Sequence, residues 1–188
     1  GREVSFSGWN INDRSKTPLY GFLPVPVAHG DIFFGHYQEI TGSNIIRWLI
    51  SWEGVHLGPD ELNIPYLENL VVLLKIAISK KQYILLDYHQ DLFSRWIPTK
   101  DQTVPRGTEP GWDQDGAPRW IVEGMKLPEG SCGKICIYWS QNYFTNPAVK
   151  AAHRNFWNNI EIETSKGKRR VQDEFFWQMN GFLSFLKS

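Results

Sequence analysis

Tyr83-Ile84-Leu85-Leu86-Asp87-Tyr88-His89-Gln90-Asp91 decides the fold class. An apolar run of strand character ends abruptly in ionisable groups. A buried parallel strand has this form when it delivers polar side chains to the rim of an α/β sheet or barrel. Active sites of such folds border the carboxyl ends of their strands. The loop after His89 is therefore expected to face a cleft.

The flanking sequence fits that reading. Residues 66–80 carry Leu67, Leu70, Val71, Leu74 and Ile78 at helical spacing, and Lys75, Lys80 and Lys81 near the end complement the helix dipole. Residues 51–65 read as loop with short turns, and 44–50 as a β-branched, almost wholly apolar strand. Asp31 is read as the cap of a helix reaching about Thr41. Its stripe is Ile32, Phe33, Tyr37 and Ile40, and Gly42 is the terminating glycine. Residues 17–30 are Pro- and Gly-rich loop, and 4–11 a first strand. Strand, helix, strand, helix, strand in this order argues for parallel βαβ units.

Beyond Asp91 the periodicity stops. Residues 90–147 are rich in Gly, Pro, Asp and Trp and read as one long rim loop. Residues 148–159 look helical through Val149, Ala152, Phe156 and Trp157. The basic run 166–170 reads as a solvated turn. Residues 171–186 form an amphipathic helix, with Phe175, Phe176, Met179, Phe182, Leu183 and Leu186 on or near one face.

The 188 residues are enough for one domain with a real core, and 1–188 is read as a single unit. Twenty basic residues balance twenty acidic ones, so no global field draws nucleic acid or an anionic membrane. No apolar run approaches the ~20 residues needed to span a bilayer. The start shows no signal-peptide core. A mature secreted chain has the same appearance, so a secreted or cell-surface setting is slightly preferred over a cytoplasmic one. Aromatic residues make 14% of the chain, which suits either a ring-rich core or a cleft that stacks on sugars or holds an apolar ligand. Cys132 and Cys136 fit a local disulfide and free thiols equally, and without a nearby His pair they make no zinc site.

His89 and Asp91 lie two apart at a strand end and share a side if the strand continues that far. Their readings are hydrogen bonding to a substrate, metal ligation, or a His held by backbone beside a loop-capping Asp. Asp87 is read as structural, pointing into the sheet region. Arg47, alone within Ile45-Ile46-Arg47-Trp48-Leu49-Ile50, is costly to bury unless paired with a carboxylate or a ligand; the alternative, an arginine on an edge strand facing water, is weakened by the apolar residues on both sides. Inward-facing barrel arginines often orient a catalytic carboxylate and keep it ionised. Trp52, Trp96, Trp112, Trp120 and Trp139 fall in loops or just after strands. Any one of them suits packing, whereas several on one rim suit sugar stacking. Lys16, after the first strand, is a candidate polar anchor. There is no G-x-S-x-G elbow, no P-loop and no dinucleotide fingerprint. The first strand, Phe6-Ser7-Gly8-Trp9-Asn10, lacks the paired histidines of barrel metal hydrolases, so neither metal nor cofactor is predicted.

Taken in order, these segments resemble the endoglycoceramidase and glucosylceramidase-like branch of glycoside hydrolase family 5. The likeness rests on residues 44–53 and 85–91, Gly116-Ala117-Pro118-Arg119-Trp120, Asn155-Phe156-Trp157-Asn158-Asn159 and Val171-Gln172-Asp173. It implies the amino-terminal portion, about three βα units, of a TIM (β/α)₈ barrel. It also implies a parent enzyme that hydrolyses β-glycosidic bonds of glycosphingolipids or related glycolipids with retention, touching the membrane peripherally through its substrate. Arg47 is then implied to orient the nucleophile, and His89 and Asp91 to bind the sugar. Lys16, eight residues after Gly8, and Trp139 fall where the branch places a sugar-contacting lysine and a stacking tryptophan. The retaining mechanism needs two carboxylates roughly 5–5.5 Å apart. The branch takes its acid/base from an Asn-Glu pair, and the sequence contains none. Both catalytic Glu residues are thus expected beyond Ser188, with the carboxyl-terminal half of the barrel as partner and the chain alone inactive. A non-catalytic α/β module holding carbohydrate or lipid is the alternative.

Overall fold

The computed structural model describes residues 5–11, 13–97, 115–133 and 138–187; Val4, Trp112 and Cys136 lie outside them. The first part runs β1 (Gly8–Ile11), α1 (Gly30–Thr41), β2 (Ile45–Ser51), α2 (Trp52–Val55), β3 (His56–Gly58), β4 (Glu61–Leu62), α3 (Ile64–Ser79) and β5 (Tyr83–His89). The second runs α4 (Arg119–Gly124), α5 (Asn142–Thr145), α6 (Pro147–Trp157), β6 (Glu161–Thr164), β7 (Gly167–Arg170) and α7 (Val171–Lys187). β1, β2 and β5 form a parallel sheet in that order. Asn10 stands opposite Arg47, and Arg47 opposite Leu85.

Strand alternation sorts the side chains. Ile46, Trp48 and Ile50 of β2 are fully buried and, with Ile84, Leu86 and Tyr88 of β5, pack on the helix side. There Trp48 stacks on Phe34 of α1, ring centroids 5.6 Å apart. Leu67, Leu70, Leu73 and Ala77 of α3 and Phe182 of α7 complete this core. Burying each such large side chain is worth about 1.5–3 kcal/mol. The Tyr88 hydroxyl donates to Gln178 Oε1 of α7 at 2.7 Å, so the strand's one polar group on this side is satisfied. The opposite face carries Arg47, Leu85, Asp87 and His89. Leu85 is 54% exposed there, so the face is open around the middle of β5, whereas Leu49 of β2 is fully buried.

Local chemistry sets the helix ends. Asn63 accepts from Tyr66 N at 3.3 Å, and Pro65 occupies the first turn of α3. Gly42, at φ +63°, ends α1 with its N–H on Gln38 O at 2.9 Å. Asp31 is not a cap. It lies inside the first turn of α1 and pairs with Lys80 Nζ at 2.8 Å, tying α1 to the end of α3.

Three segments hold more regular structure than their composition suggests. Residues 51–65 contain α2 and the β3–β4 hairpin, turned at Pro59-Asp60, where Asp60 adopts φ +58°. Within 90–147, α4 follows Pro118, and Trp139–Gln141 and α5 form short helical turns. The basic run 166–170 belongs to a hairpin rather than a simple turn. Gly167 turns it at φ +89°, and Lys168 pairs with Glu161 across it at 2.9 Å. A second core joins these parts, with Trp52, Leu92, Phe93, Ile121, Val149, Ala152, Ile162 and Val171 buried together. Among the described residues no helix is long and apolar enough to cross a membrane.

Candidate active site

At the carboxyl end of the open sheet face the side chains form a relay of alternating charge. Arg47 pairs with Asp87. His89 Nδ1 lies 3.0 Å from Asp87 Oδ2 and 3.2 Å from Arg47 Nη2. Its Nε2 lies 3.3 Å from Asp91 Oδ2, and the Lys16 ammonium pairs with that same carboxylate. Exposure falls along the relay, from 31% for the Arg47 side chain to 10% for that of Lys16. Every charge that is withdrawn from water has an opposite partner, as burial requires.

Both ring nitrogens of His89 face carboxylates, Nδ1 towards Asp87 and Nε2 towards Asp91. Hydrogen bonding to Asp91 raises its pKa above the ordinary histidine value. Burial opposes that rise, the charges of Asp115 and Asp91 add to it, and Lys16 counteracts it. Asp91 shifts the other way. Burial pushes its carboxyl up, but hydrogen bonds from His89 and Lys16 and their charges outweigh burial and hold it below the usual range. Asp87, read from sequence as structural, lies on the same face as Arg47 and His89 and links them.

Asp91 is fixed by a partner that the sequence reading missed. Its backbone N–H donates to Asp115 Oδ1 at 2.8 Å, and the two residues form an isolated antiparallel bridge. Gly116 makes this approach possible: at φ +123°, a Cβ there would lie 2.4 Å from Phe93 O. Asp115 is completely buried, and its Oδ2 has no hydrogen-bond partner. Burial raises its pKa to about 6, against the opposing charges of Lys16 and His89. His89, Asp91 and Asp115 each offer a ligand atom within 4.8 Å of the others. The Lys16 ammonium already occupies the cation's place on Asp91, and a divalent ion beside it would meet like-charge repulsion.

Behind the relay, Glu53 accepts from Arg95 Nε at 2.9 Å and from Trp96 Nε1 at 2.8 Å. Trp139 is half-buried against Tyr143, 6.2 Å between centroids, and the Tyr143 hydroxyl accepts from Leu92 N at 2.8 Å. Trp139 thus stands one residue away from the loop that carries Asp91. Beside His89 and Gln90 opens an aromatic cavity of about 270 Å³, lined in part by Trp52, Phe93, Phe156, Trp157 and Phe175. Cys132 is disulfide-bonded.

Sequence offered one signal for Asp115, its place beside Gly116-Ala117-Pro118. The partnership of Arg95 with Glu53 spans 42 positions and has no local signature.

No protein-family model matches the chain. A glucosylceramidase of Aspergillus fumigatus is 25% identical over 166 residues, covering 78% of this chain and 20% of that protein. An ergosteryl-beta-glucosidase of Saccharomyces cerevisiae is 29% identical over 122 residues, covering 51% of this chain and 16% of that protein. Endo-glycoceramidase II from Rhodococcus sp., solved in complex with ganglioside GM3, superposes with TM-score 0.74 at 22% identity. That likeness covers 98% of this chain and 37% of the other. The chain therefore spans a fifth or less of the curated relatives' length. It is related to glycolipid glycosidases over part of their length, and its fold is the corresponding part of a TIM barrel.

Proposed function

We propose that this chain supplies the sugar-binding wall of a retaining β-glycosidase acting on glycosphingolipids or related glycolipids. The observation that carries the reading is the Arg47–Asp87–His89–Asp91–Lys16 relay, set at the carboxyl ends of parallel strands in a chain related to glycolipid glucosidases. Such a relay presents fixed donors and acceptors to sugar hydroxyls. His89, Asp91 and Lys16 hold the glycone, Trp139 flanks it, and Arg47 steadies the carboxylate that attacks the anomeric carbon.

In this reading the chemistry is double displacement. A Glu attacks the anomeric carbon as the bond to the lipid oxygen breaks, and a second carboxyl group protonates that oxygen. Water then displaces the enzyme carboxylate, giving up its proton to the second group. Both carboxylates belong to parts of a longer protein outside these residues, and the partner of this chain is the remainder of the barrel. The disulfide at Cys132 supports an oxidising, secreted or cell-surface setting.

The test uses fluorescent glucosylceramide and lactosylceramide. The 188 residues alone are assayed beside the same residues joined to the carboxyl-terminal remainder of the longer protein. Turnover only by the joined protein is the expected result. Turnover by the 188 residues alone would overturn the assignment of the catalytic carboxylates elsewhere.

A further inference from the structure

Arg95 is among the largest side chains fully withdrawn from solvent, at 2% exposure, although it lies in the loop after β5 and outside the relay. A buried guanidinium is costly unless its donors are matched, so its contacts show what it holds. One arm, Nε, donates to Glu53 Oε2 at 2.9 Å. The other, Nη2, donates to the backbone carbonyl of Lys16. Glu53 sits on α2, directly after β2, and its backbone N–H donates to Gly116 O at 2.7 Å. Its Oε1 accepts from Trp96 Nε1 at 2.8 Å, and the Arg119 guanidinium lies 5.0 Å over the Trp96 ring. Arg95 thus joins the segments that follow β1, β2 and β5, with residue 116 attached through Glu53.

We propose that Arg95 is a positioning residue for Lys16: it holds the lysine's carbonyl so that the ammonium is delivered to Asp91. This rests on the reading of Lys16 as a sugar contact. A lysine side chain is flexible, and on a free loop its ammonium samples many positions. Here the residue is gripped at both ends, the carbonyl by Arg95 and the ammonium by Asp91. Thr17 and Ser15 on either side are also buried, so the backbone has little room to follow a wandering side chain. The planar fork of arginine is what allows one side chain to address a carbonyl oxygen and a carboxylate together. A lysine has three donors but one nitrogen, which cannot stand at both the Nε and the Nη2 positions.

The test reads His89, which Lys16 faces across Asp91; the other charged groups around the ring are Arg47, Asp87 and Asp115. Imidazole NMR of histidine-labelled protein gives its titration in the 188-residue chain, with no sugar present. Lys16→Met removes a cation that depresses the His89 pKa, so it is expected to shift the titration upward. Arg95→Lys keeps a charge for Glu53 but loses the fork. It is expected to shift His89 in the same direction by at least half as much, and the double variant to add nothing beyond Lys16→Met. An Arg95→Lys protein that folds and titrates as the wild type, while Lys16→Met shifts, overturns the proposal. So does failure of Arg95→Lys to fold where Lys16→Met folds, since Arg95 is then structural alone. A folded Lys16→Met protein with unchanged His89 instead overturns the relay itself. Absence of glycolipid turnover in the joined protein bears on the glycosidase reading without touching the titration.

Discussion

Lys16 and Asp91 stand 75 positions apart in the chain and share one ion pair whose side chains are only 10% and 12% exposed. Neither residue belongs to a long regular element. Lys16 ends a short helical turn after β1, and Asp91 follows β5. Their meeting is a product of the parallel sheet, which brings the carboxyl ends of its strands to one rim. Asp91 is then positioned from both sides, by Lys16 and His89 on its carboxylate and by Asp115 on its backbone N–H.

In the joined glycosidase, His89→Ala and Asp91→Asn are each expected to lower kcat/KM for glucosylceramide about 10- to 100-fold. Hydrogen bonds to charged groups are worth about 1.5–3 kcal/mol, and under the proposed function these two residues make such bonds to the sugar. Steady-state kinetics with matched thermal midpoints separates this from misfolding.

Asp115 and His56 make opposed contributions to the pH dependence of stability. Asp115 is raised from 3.8 to about 6, so the folded state binds its proton more tightly than the unfolded state. That stabilisation is present at low pH and is lost as pH rises toward about 6. His56 is lowered from 6.5 to about 4 by burial, against the raising influence of Asp60 and Gly58. Its contribution is present above about 6.5 and is lost as pH falls toward 4. Between these limits the two slopes offset each other. Asp115→Asn keeps the acceptor for Asp91 N and removes one slope. The variant is expected to gain stability steeply from pH 4 to 6.5 and to exceed the wild type near pH 7 by roughly 1–3 kcal/mol. Urea titrations across this range check the sign.

Leu85 distinguishes a barrel segment from a self-contained module. At 54% exposure in the middle of β5 it buries little, so Leu85→Thr is expected to cost the 188-residue chain less than about 1 kcal/mol. Inside a closed barrel the same position is filled from the opposite wall, and the cost rises to about 2–3 kcal/mol. Equal costs in the short and joined proteins would favour the module.

The helix-side core is the reverse case. Trp48→Ala removes a fully buried ring and its stacking on Phe34, and is expected to cost about 3–5 kcal/mol. Gly42→Ala meets open space but forces a Cβ onto φ +63°, at about 1 kcal/mol. Chemical denaturation measures both.

The parallel strands and main helices were legible because their signals are local: alternating or continuous apolar runs, the helical spacing of Leu67, Leu70 and Leu74 in α3, and a glycine after α1. His89 and Asp91 stood out as polar groups at the end of an apolar strand, and Arg47 as a lone charge within one. The hairpins were not. Glu161–Thr164 and Gly167–Arg170 hold together through cross-strand ion pairs and packing of Ile162 rather than through apolar periodicity. Asp31 shows the limit of cap rules, since an acid one position inside a helix serves the dipole and Lys80 equally well. The roles of Asp115, Arg95 and Glu53 depend on pairings across the sheet that no window of sequence contains.

The sheet order has a consequence for synthesis. Each parallel strand pairs with the one made before it, so β2 can dock on β1 and β5 on β2 as each leaves the ribosome. Apart from Trp52, the buried residues of the second core all follow Lys16, Arg47, His89 and Asp91 in the chain. The charged relay can therefore close early, its ionic groups neutralised before the hairpin and α7 are translated.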